Sequence, residues 1–271
     1  MNTNTYAVIL AGGRGERFWP MSTHRHPKQL LALVGRRALL ADAVYRMRAI
    51  IPEKRILVIT SVDLRDAVCH LLPGLPKANV IGEPCGRDTA AAITLAAALI
   101  KARNPKAVFC VLTADHVIGD AAVFRRTLKD AFARAAAADV LLTVGLKPVC
   151  PSTGFGYIEA GTRLAGPSKT AFYRVRRFVE KPNARIAARY VKAGIGALQS
   201  GLESRPARQR HQRFQQAPQG WTMPPERPFP GGQRPDKHAR IPIEPAGFYI
   251  THRHAGIRLF DKPLYMVKGR S

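Results

Sequence analysis

The chain has 271 residues and a mass of 29.7 kDa, room for one large α/β domain or for one domain with an appendage. Hydrophobic residues make up 46 %, which excludes a chain disordered along its whole length. The formal net charge of +25 favours anionic partners, whether phosphates, nucleotides, nucleic acid or an anionic membrane face.

Short apolar runs alternate with helical patterns over residues 1–194. Tyr6–Leu10, Arg55–Thr60, Asn79–Gly82, Val108–Leu112 and Val140–Val144 read as strands, and their continuous apolar character suits burial on both faces. Leu39, Val44, Met47 and Ile51 recur at helical spacing. An Ala-rich stretch, Asp88–Arg103, reads as a helix with a cap candidate at its start. Phe124, Leu128 and Phe132 mark another, behind a cap at Asp120. Asn183–Gly194 closes the series, with Ile186 and Tyr190 on one face and a glycine stop. This order predicts an α/β fold with a doubly wound, largely parallel sheet. Ligands of such sheets sit outside the carboxyl ends of the strands, so each loop after a strand is a candidate site.

Residues 195–271 have another texture. They hold 10 of the 21 prolines and seven of the eight glutamines, Gln29 being the other. Pro224-Pro225, Pro228, Pro230 and Gly231-Gly232 interrupt any regular period. The expected division is therefore a folded part, 1–194, and an irregular tail, 195–271, either a disordered basic extension or the product of out-of-frame reading. No apolar run reaches the ~18–20 residues of a membrane-spanning helix. The polar start, Met1 to Thr5, has no basic segment or cleavage site of a leader peptide. Cys69, Cys85, Cys110 and Cys150 show no zinc spacing and suit reduced thiols of a cytoplasmic protein.

The strongest chemical signal follows the first strand. Leu10-Ala11-Gly12-Gly13-Arg14-Gly15-Glu16-Arg17-Phe18-Trp19-Pro20 leads to Pro27-Lys28-Gln29-Leu30. A glycine-rich turn after a strand lets backbone N–H groups approach phosphate oxygens. Arg14, Arg17 and Lys28 add positive charge that can grip phosphate, though Arg14 reads equally well as a solvated loop residue. The G-K-[ST] of a Walker loop is absent, and Phe18 stands where a dinucleotide fold has its third glycine.

Four further strings follow in order: Glu83-Pro84-Cys85-Gly86-Arg87-Asp88-Thr89-Ala90, Thr113-Ala114-Asp115-His116-Val117-Ile118, Pro151-Ser152-Thr153-Gly154-Phe155-Gly156-Tyr157-Ile158 and Phe178-Val179-Glu180-Lys181-Pro182. With the glycine loop they resemble the signature of the sugar-1-phosphate nucleotidyltransferases, and within them the bacterial mannose-1-phosphate guanylyltransferases. The resemblance covers residues 6–194. It implies a Rossmann-like nucleotidyltransferase fold and a cytoplasmic enzyme of polysaccharide biosynthesis. The implied reaction turns GTP and mannose-1-phosphate into GDP-mannose and pyrophosphate, with Mg²⁺.

In that reaction a sugar-phosphate oxygen attacks the α-phosphorus in line. The attacking group is already ionised at neutral pH, so positioning and charge neutralisation carry catalysis. The resemblance assigns Arg17 and Lys28 to the triphosphate as catalytic residues. It assigns Leu10, Ala11, Gly12, Gly13, Arg14, Gly15, Glu83, Arg87, Asp88 and Thr89 to the nucleotide. A helix cap would explain Asp88 or Thr89 structurally. Asp115, after the strand Val108–Leu112, is the implied Mg²⁺ ligand, with a turn cap as the structural alternative. His116 reads as a structural hydrogen-bonding residue. Gly154, Gly156, Tyr157, Glu180 and Lys181 fall to the sugar phosphate, although an isolated Glu-Lys pair is ordinarily a surface ion pair.

The resemblance stops near residue 194. The family continues with a W-N-[SA]-G strand, whose Asn binds the sugar, and later supplies a second metal-binding Asp. Neither is readable in 195–271, and the expectation this raises is a chain truncated relative to the family and frameshifted after about residue 194. Leu202-Glu203-Ser204-Arg205-Pro206 can be encoded so that the next frame reads Trp-Asn-Arg-Gly. Turnover by this chain is accordingly expected to be impaired. The alternatives are a catalytically dead nucleotide-binding protein and a sugar-1-phosphate nucleotidyltransferase of another specificity. No membrane partner is expected. The basic charge is spread over both parts and matches no nucleic-acid motif, so a nucleic-acid partner is not expected either.

Overall fold

A computed structural model describes residues 4–199, apart from 14–19, 24–26, 34, 87, 139, 147, 149, 167, 169 and 193–196, together with 247–252, 257–259 and 264–268. Residues 1–201 and 245–271 belong to one compact unit. A second unit, 202–244, lies outside the described residues.

The front of the unit follows the alternation expected of it. Strands β1 (Thr5–Leu10), β2 (Ile56–Ser61), β3 (Val80–Glu83) and β4 (Val108–Thr113) run parallel in the order β3-β2-β1-β4. Between and after them lie α1 (Leu39–Arg48), α2 (Arg65–Leu71), α3 (Asp88–Arg103) and α4 (Ala121–Ala137). Strand residues alternate between two cores, as a period of two requires. Ala7, Ile9, Ile56, Val58, Cys110 and Leu112 face α1, α2 and α4. Tyr6, Val8, Leu57, Ile59, Phe109 and Val111 face Ala92, Ala96 and Ile100 of α3. Helices on both faces leave the carboxyl edge of the four strands as the place where loops meet. The expected cap of α4 is present: Asp120 Oδ1 accepts from the N–H groups of Ala122 and Val123, both at 2.9 Å.

The second half departs from simple alternation. A three-residue β5 (His116–Ile118) precedes α4, and β6 (Leu141–Leu146) follows it. Then β7 (Gly156–Leu164) and β8 (Ala171–Val179) pair antiparallel, and α5 (Ala184–Lys192) follows. The buried face of α5 is Ala187 and Tyr190, whereas Ile186 is exposed, which corrects the expected face. The tail contributes four strands that its composition did not indicate: β9 (Ala197–Gln199), β10 (Gly247–His252), β11 (Ile257–Leu259) and β12 (Leu264–Lys268). β12 lies antiparallel between β4 and β6, and β10 pairs with β6 and β8. The end of the chain thus returns to the sheet built by its front.

The four thiols sit in different environments. Cys85 and Cys150 are exposed, Cys69 is half-buried and Cys110 is buried in β4. Burial pushes the Cys110 thiol up to about 12. A raised value means that the thiol form favours the fold below the ordinary cysteine range. That contribution is lost as pH climbs towards 12. A thiol-modifying reagent at neutral pH should therefore label Cys85 and Cys150 fast and Cys69 slowly. Cys110 should react only after denaturant is added, and its labelling in the native protein would contradict this packing.

Candidate active site

The site is built where β1 and β4 end side by side. Leu10 pairs with Thr113, and the Ala114 N–H donates to the Leu10 carbonyl at 3.0 Å. The glycine loop leaves one strand and the Asp115 turn leaves the other. Gly13 has φ +113°, a conformation costly for other residues, and among the described residues a Cβ on Gly12 or Gly13 would meet no atom within 4 Å. Among the described residues nothing covers that face of Gly12 and Gly13.

Gln29 holds the root of the loop. Its Nε2 donates to the Ala11 carbonyl at 2.8 Å and to the Gly13 carbonyl at 3.3 Å, while the Thr60 hydroxyl also donates to Ala11 at 3.3 Å. The Ala11 N–H donates to Ile59 of β2 at 2.8 Å. Sequence reasoning passed over Gln29, whose only signal was its place after Pro27-Lys28. Gln29→Ala removes both donations and should cost about 1–3 kcal/mol of stability, measured by urea unfolding. It should also weaken nucleotide binding, and unchanged stability together with unchanged binding would contradict the role.

Lys28 opens a single 3₁₀ turn, Lys28–Leu30, and its Nζ lies 2.8 Å from Asp115 Oδ2. Both side chains are largely buried. Burial alone would raise the Asp115 carboxyl, but the hydrogen bond and charge of Lys28 outweigh it and hold the group below the usual carboxylate range. The other oxygen, Oδ1, is buried and takes no hydrogen bond at normal distance. His116 beside it is structural, as expected: its Nε2 and the Thr113 hydroxyl are 3.0 Å apart. Burial drives the imidazole down to about 4 against the pull of Asp115, so the ring is neutral at pH 7. The half-buried Arg46 of α1 donates from Nη2 to the His116 carbonyl at 2.9 Å and braces the turn. Neither Arg46 nor Thr113 stood out as a site residue in the sequence.

Glu83 ends β3 on the same carboxyl edge, half-buried, with its carboxyl raised by burial. Thr89 lies in the first turn of α3. Arg14, Gly15, Arg17 and Arg87, and the side chain of Asp88, lie outside the described residues.

The residues assigned to the sugar gather on the β7–β8 pair. Tyr157 pairs with Val179, which sets Gly156 and Tyr157 beside the strand end that leads to Glu180 and Lys181. Tyr157 is fully buried, stacked on Tyr190 at 5.4 Å, and its hydroxyl accepts from the Ser152 N–H at 3.0 Å. It supports the loop carrying Gly154 and offers no free face to a ligand. Lys181 has φ +37°, a strained left-handed conformation just before Pro182. Its Nζ is 3.8 Å from Glu180 Oε1, and both side chains are more than half exposed. Below them Glu159, also missed from sequence, is buried between Arg176, Arg177 and the Tyr190 hydroxyl, tying β7, β8 and α5 together.

For Mg²⁺ the test is the donor set. Among the described residues no three His, Cys, Asp or Glu side chains converge. Mg²⁺ needs few protein oxygens beside those of a phosphate ligand, and the buried, unengaged Oδ1 of Asp115 is such an oxygen. The site fits Mg²⁺ through that one carboxylate.

The model of the family described as nucleotidyl transferase matches residues 6–216, reaching 22 residues beyond the point where the motifs stop. The chain belongs to the nucleotidyl transferase family. A mannose-1-phosphate guanylyltransferase of Escherichia coli K12 is 40 % identical over 201 residues, covering 73 % of this chain and 42 % of that protein. Another, of Salmonella montevideo, is 38 % identical over 199 residues, covering 72 % and 41 %. The crystal structure of mannose-1-phosphate geranyltransferase from Thermus thermophilus superposes with TM-score 0.64 at 35 % identity, over 72 % of this chain and 56 % of that one. The chain spans about two fifths of the length of the curated relatives it matches. Among the described residues no helix is long and apolar enough to cross a membrane.

Proposed function

We propose that this nucleotidyl transferase chain carries the GTP-binding half of a mannose-1-phosphate guanylyltransferase site. The observation that carries the reading is the convergence of Gly12, Gly13, Lys28 and Asp115 at the joined ends of β1 and β4. Nucleotidyl transfer between two anions demands backbone donors, a cation and a metal-binding carboxylate at one spot. The names of the 38–40 % identical relatives supply guanine and mannose as the specificity. A reaction of this kind belongs in the cytoplasm, where nucleoside triphosphates are made.

In this reading Gly12 and Gly13 present backbone N–H groups to the phosphates, held in place by Gln29. Lys28 and Arg17 neutralise the triphosphate and the departing pyrophosphate. Mg²⁺, held by Asp115, supplies further neutralisation of phosphate charge when bound. Glu180 and Lys181 meet the sugar hydroxyls and the sugar phosphate. The strained backbone at Lys181 supports this assignment, since such conformations concentrate at ligand clamps. An attacking phosphate oxygen needs no general base, so none is assigned.

Isothermal calorimetry with GTP and Mg²⁺ tests the reading. Binding should exceed that of UTP and dTTP, and Lys28→Ala or Arg17→Ala should each weaken it about tenfold or more, the loss of one charged hydrogen-bond partner. Unchanged affinity in both variants would remove the assignment of the loop. Preferential RNA binding that falls steeply with salt would point instead to a nucleic-acid partner.

A further inference from the structure

Lys28 and Asp115 are assigned to different ligands, a phosphate and a metal ion, yet each is the other's partner at 2.8 Å. We infer that the Lys28 ammonium stands in for the divalent cation at Asp115, so that metal enters only as Lys28 leaves the carboxylate, a step that an arriving phosphate favours. The inference rests on the nucleotidyl-transfer reading of this site.

The argument begins from burial. A carboxylate as enclosed as Asp115 cannot stand alone at neutral pH, because the cost of removing a lone charge from water is several kcal/mol. Lys28 supplies the needed positive charge. A divalent ion at the same carboxylate would face that ammonium a few ångströms away, across a poorly screening interior. Metal and lysine therefore compete for one buried charge, even though Oδ1 is unengaged.

A triphosphate resolves the competition. It offers Lys28 another anion next to the backbone of Gly12 and Gly13, and it brings oxygens that complete a magnesium shell. The 3₁₀ turn that carries Lys28 is fixed by the Leu30 N–H donating to Pro27 and by the Leu39 N–H donating to Leu31. Gln29 anchors the same turn to the loop. The backbone can stay in place while the lysine stem, with its four rotatable bonds, moves the charge.

The metal alone is the probe. Mn²⁺ binding is followed by electron paramagnetic resonance without nucleotide, in the parent chain and in Lys28→Met and Lys28→Gln. Both variants should bind Mn²⁺ about tenfold tighter than the parent, and Asp115→Asn added to either should abolish the gain. Lys28→Gln keeps a hydrogen-bond donor beside Asp115 in case Lys28→Met fails to fold. In the parent chain, saturating Mg²⁺ should raise the rate at which an amine-acylating reagent labels Lys28, read by mass spectrometry, by about threefold or more, as expected for a released ammonium. Unchanged metal affinity in the folded variant, or unchanged labelling in the parent, would overturn the exchange and leave Lys28 fixed while Oδ1 alone meets the metal. Tighter metal binding by the variants in a parent chain with no affinity for GTP would keep the exchange and remove the nucleotidyl-transfer reading.

Discussion

GDP-mannose formation by this chain should run about 100-fold or more slower than by a version whose residues after 194 are restored to the family's W-N-[SA]-G and second-carboxylate motifs. Affinity for GTP should stay within about threefold, since nothing assigned to the nucleotide is altered. The two halves of the site explain the split. The glycine loop, Lys28 and Asp115 lie at the ends of β1 and β4, inside the stretch that resembles the family throughout. The motifs that would hold the sugar from the far side and give the metal a second carboxylate are absent from 195–271. In-line transfer needs both substrates fixed, and removal of one preorganised electrostatic contact alone costs roughly 10²–10³ in turnover. A pyrophosphate-release assay with GTP, mannose-1-phosphate and Mg²⁺ compares the two versions. Turnover within about tenfold of the restored version would show that the tail strands supply those roles by another route.

Asp115→Ala should cost about 3–5 kcal/mol of stability and remove the Mg²⁺-dependent part of GTP binding. The first effect follows from burial: Lys28 is only 12 % exposed, and the variant breaks its enclosed ion pair with Asp115. Asp115→Asn keeps the shape and an accepting oxygen, so it should destabilise less while losing the metal-dependent binding as completely. The pair of variants separates packing from charge. Guanidinium unfolding gives the first quantity, and calorimetry with and without Mg²⁺ gives the second. Asp115→Ala as stable as its parent would mean that Lys28 finds a substitute anion, and an undiminished Mg²⁺ effect in Asp115→Asn would move the metal elsewhere.

Elements buried on both sides were the legible ones. The strands and the helix Asp88–Arg103 announced themselves through apolar runs of the right length. The β7–β8 pair did not, because Arg163, Arg174, Arg176 and Arg177 interrupt its apolar character on the exposed face. For α5 the spacing of Ile186 and Tyr190 pointed to one face, but Tyr157 packs against Tyr190 and Ala187, turning Ile186 outward. The tail strands were hidden by a composition rich in Pro and Gln, and their partners lie far away in the chain.

The sequence by itself determined the α/β alternation, the order of the motifs and the membership that follows from them, because local period and motif spacing are written along the chain. Only the tertiary structure decided what those motifs do to one another. Lys28 and Asp115 are 87 positions apart and meet because β4 lies beside β1. Gln29 grips Ala11 and Gly13 because the 3₁₀ turn folds back under the loop. Tyr157 became a buried support because α5 closes over it. Each of these depends on strand order and helix placement, which minimise exposed apolar surface over the whole unit and leave no trace in any local stretch of residues.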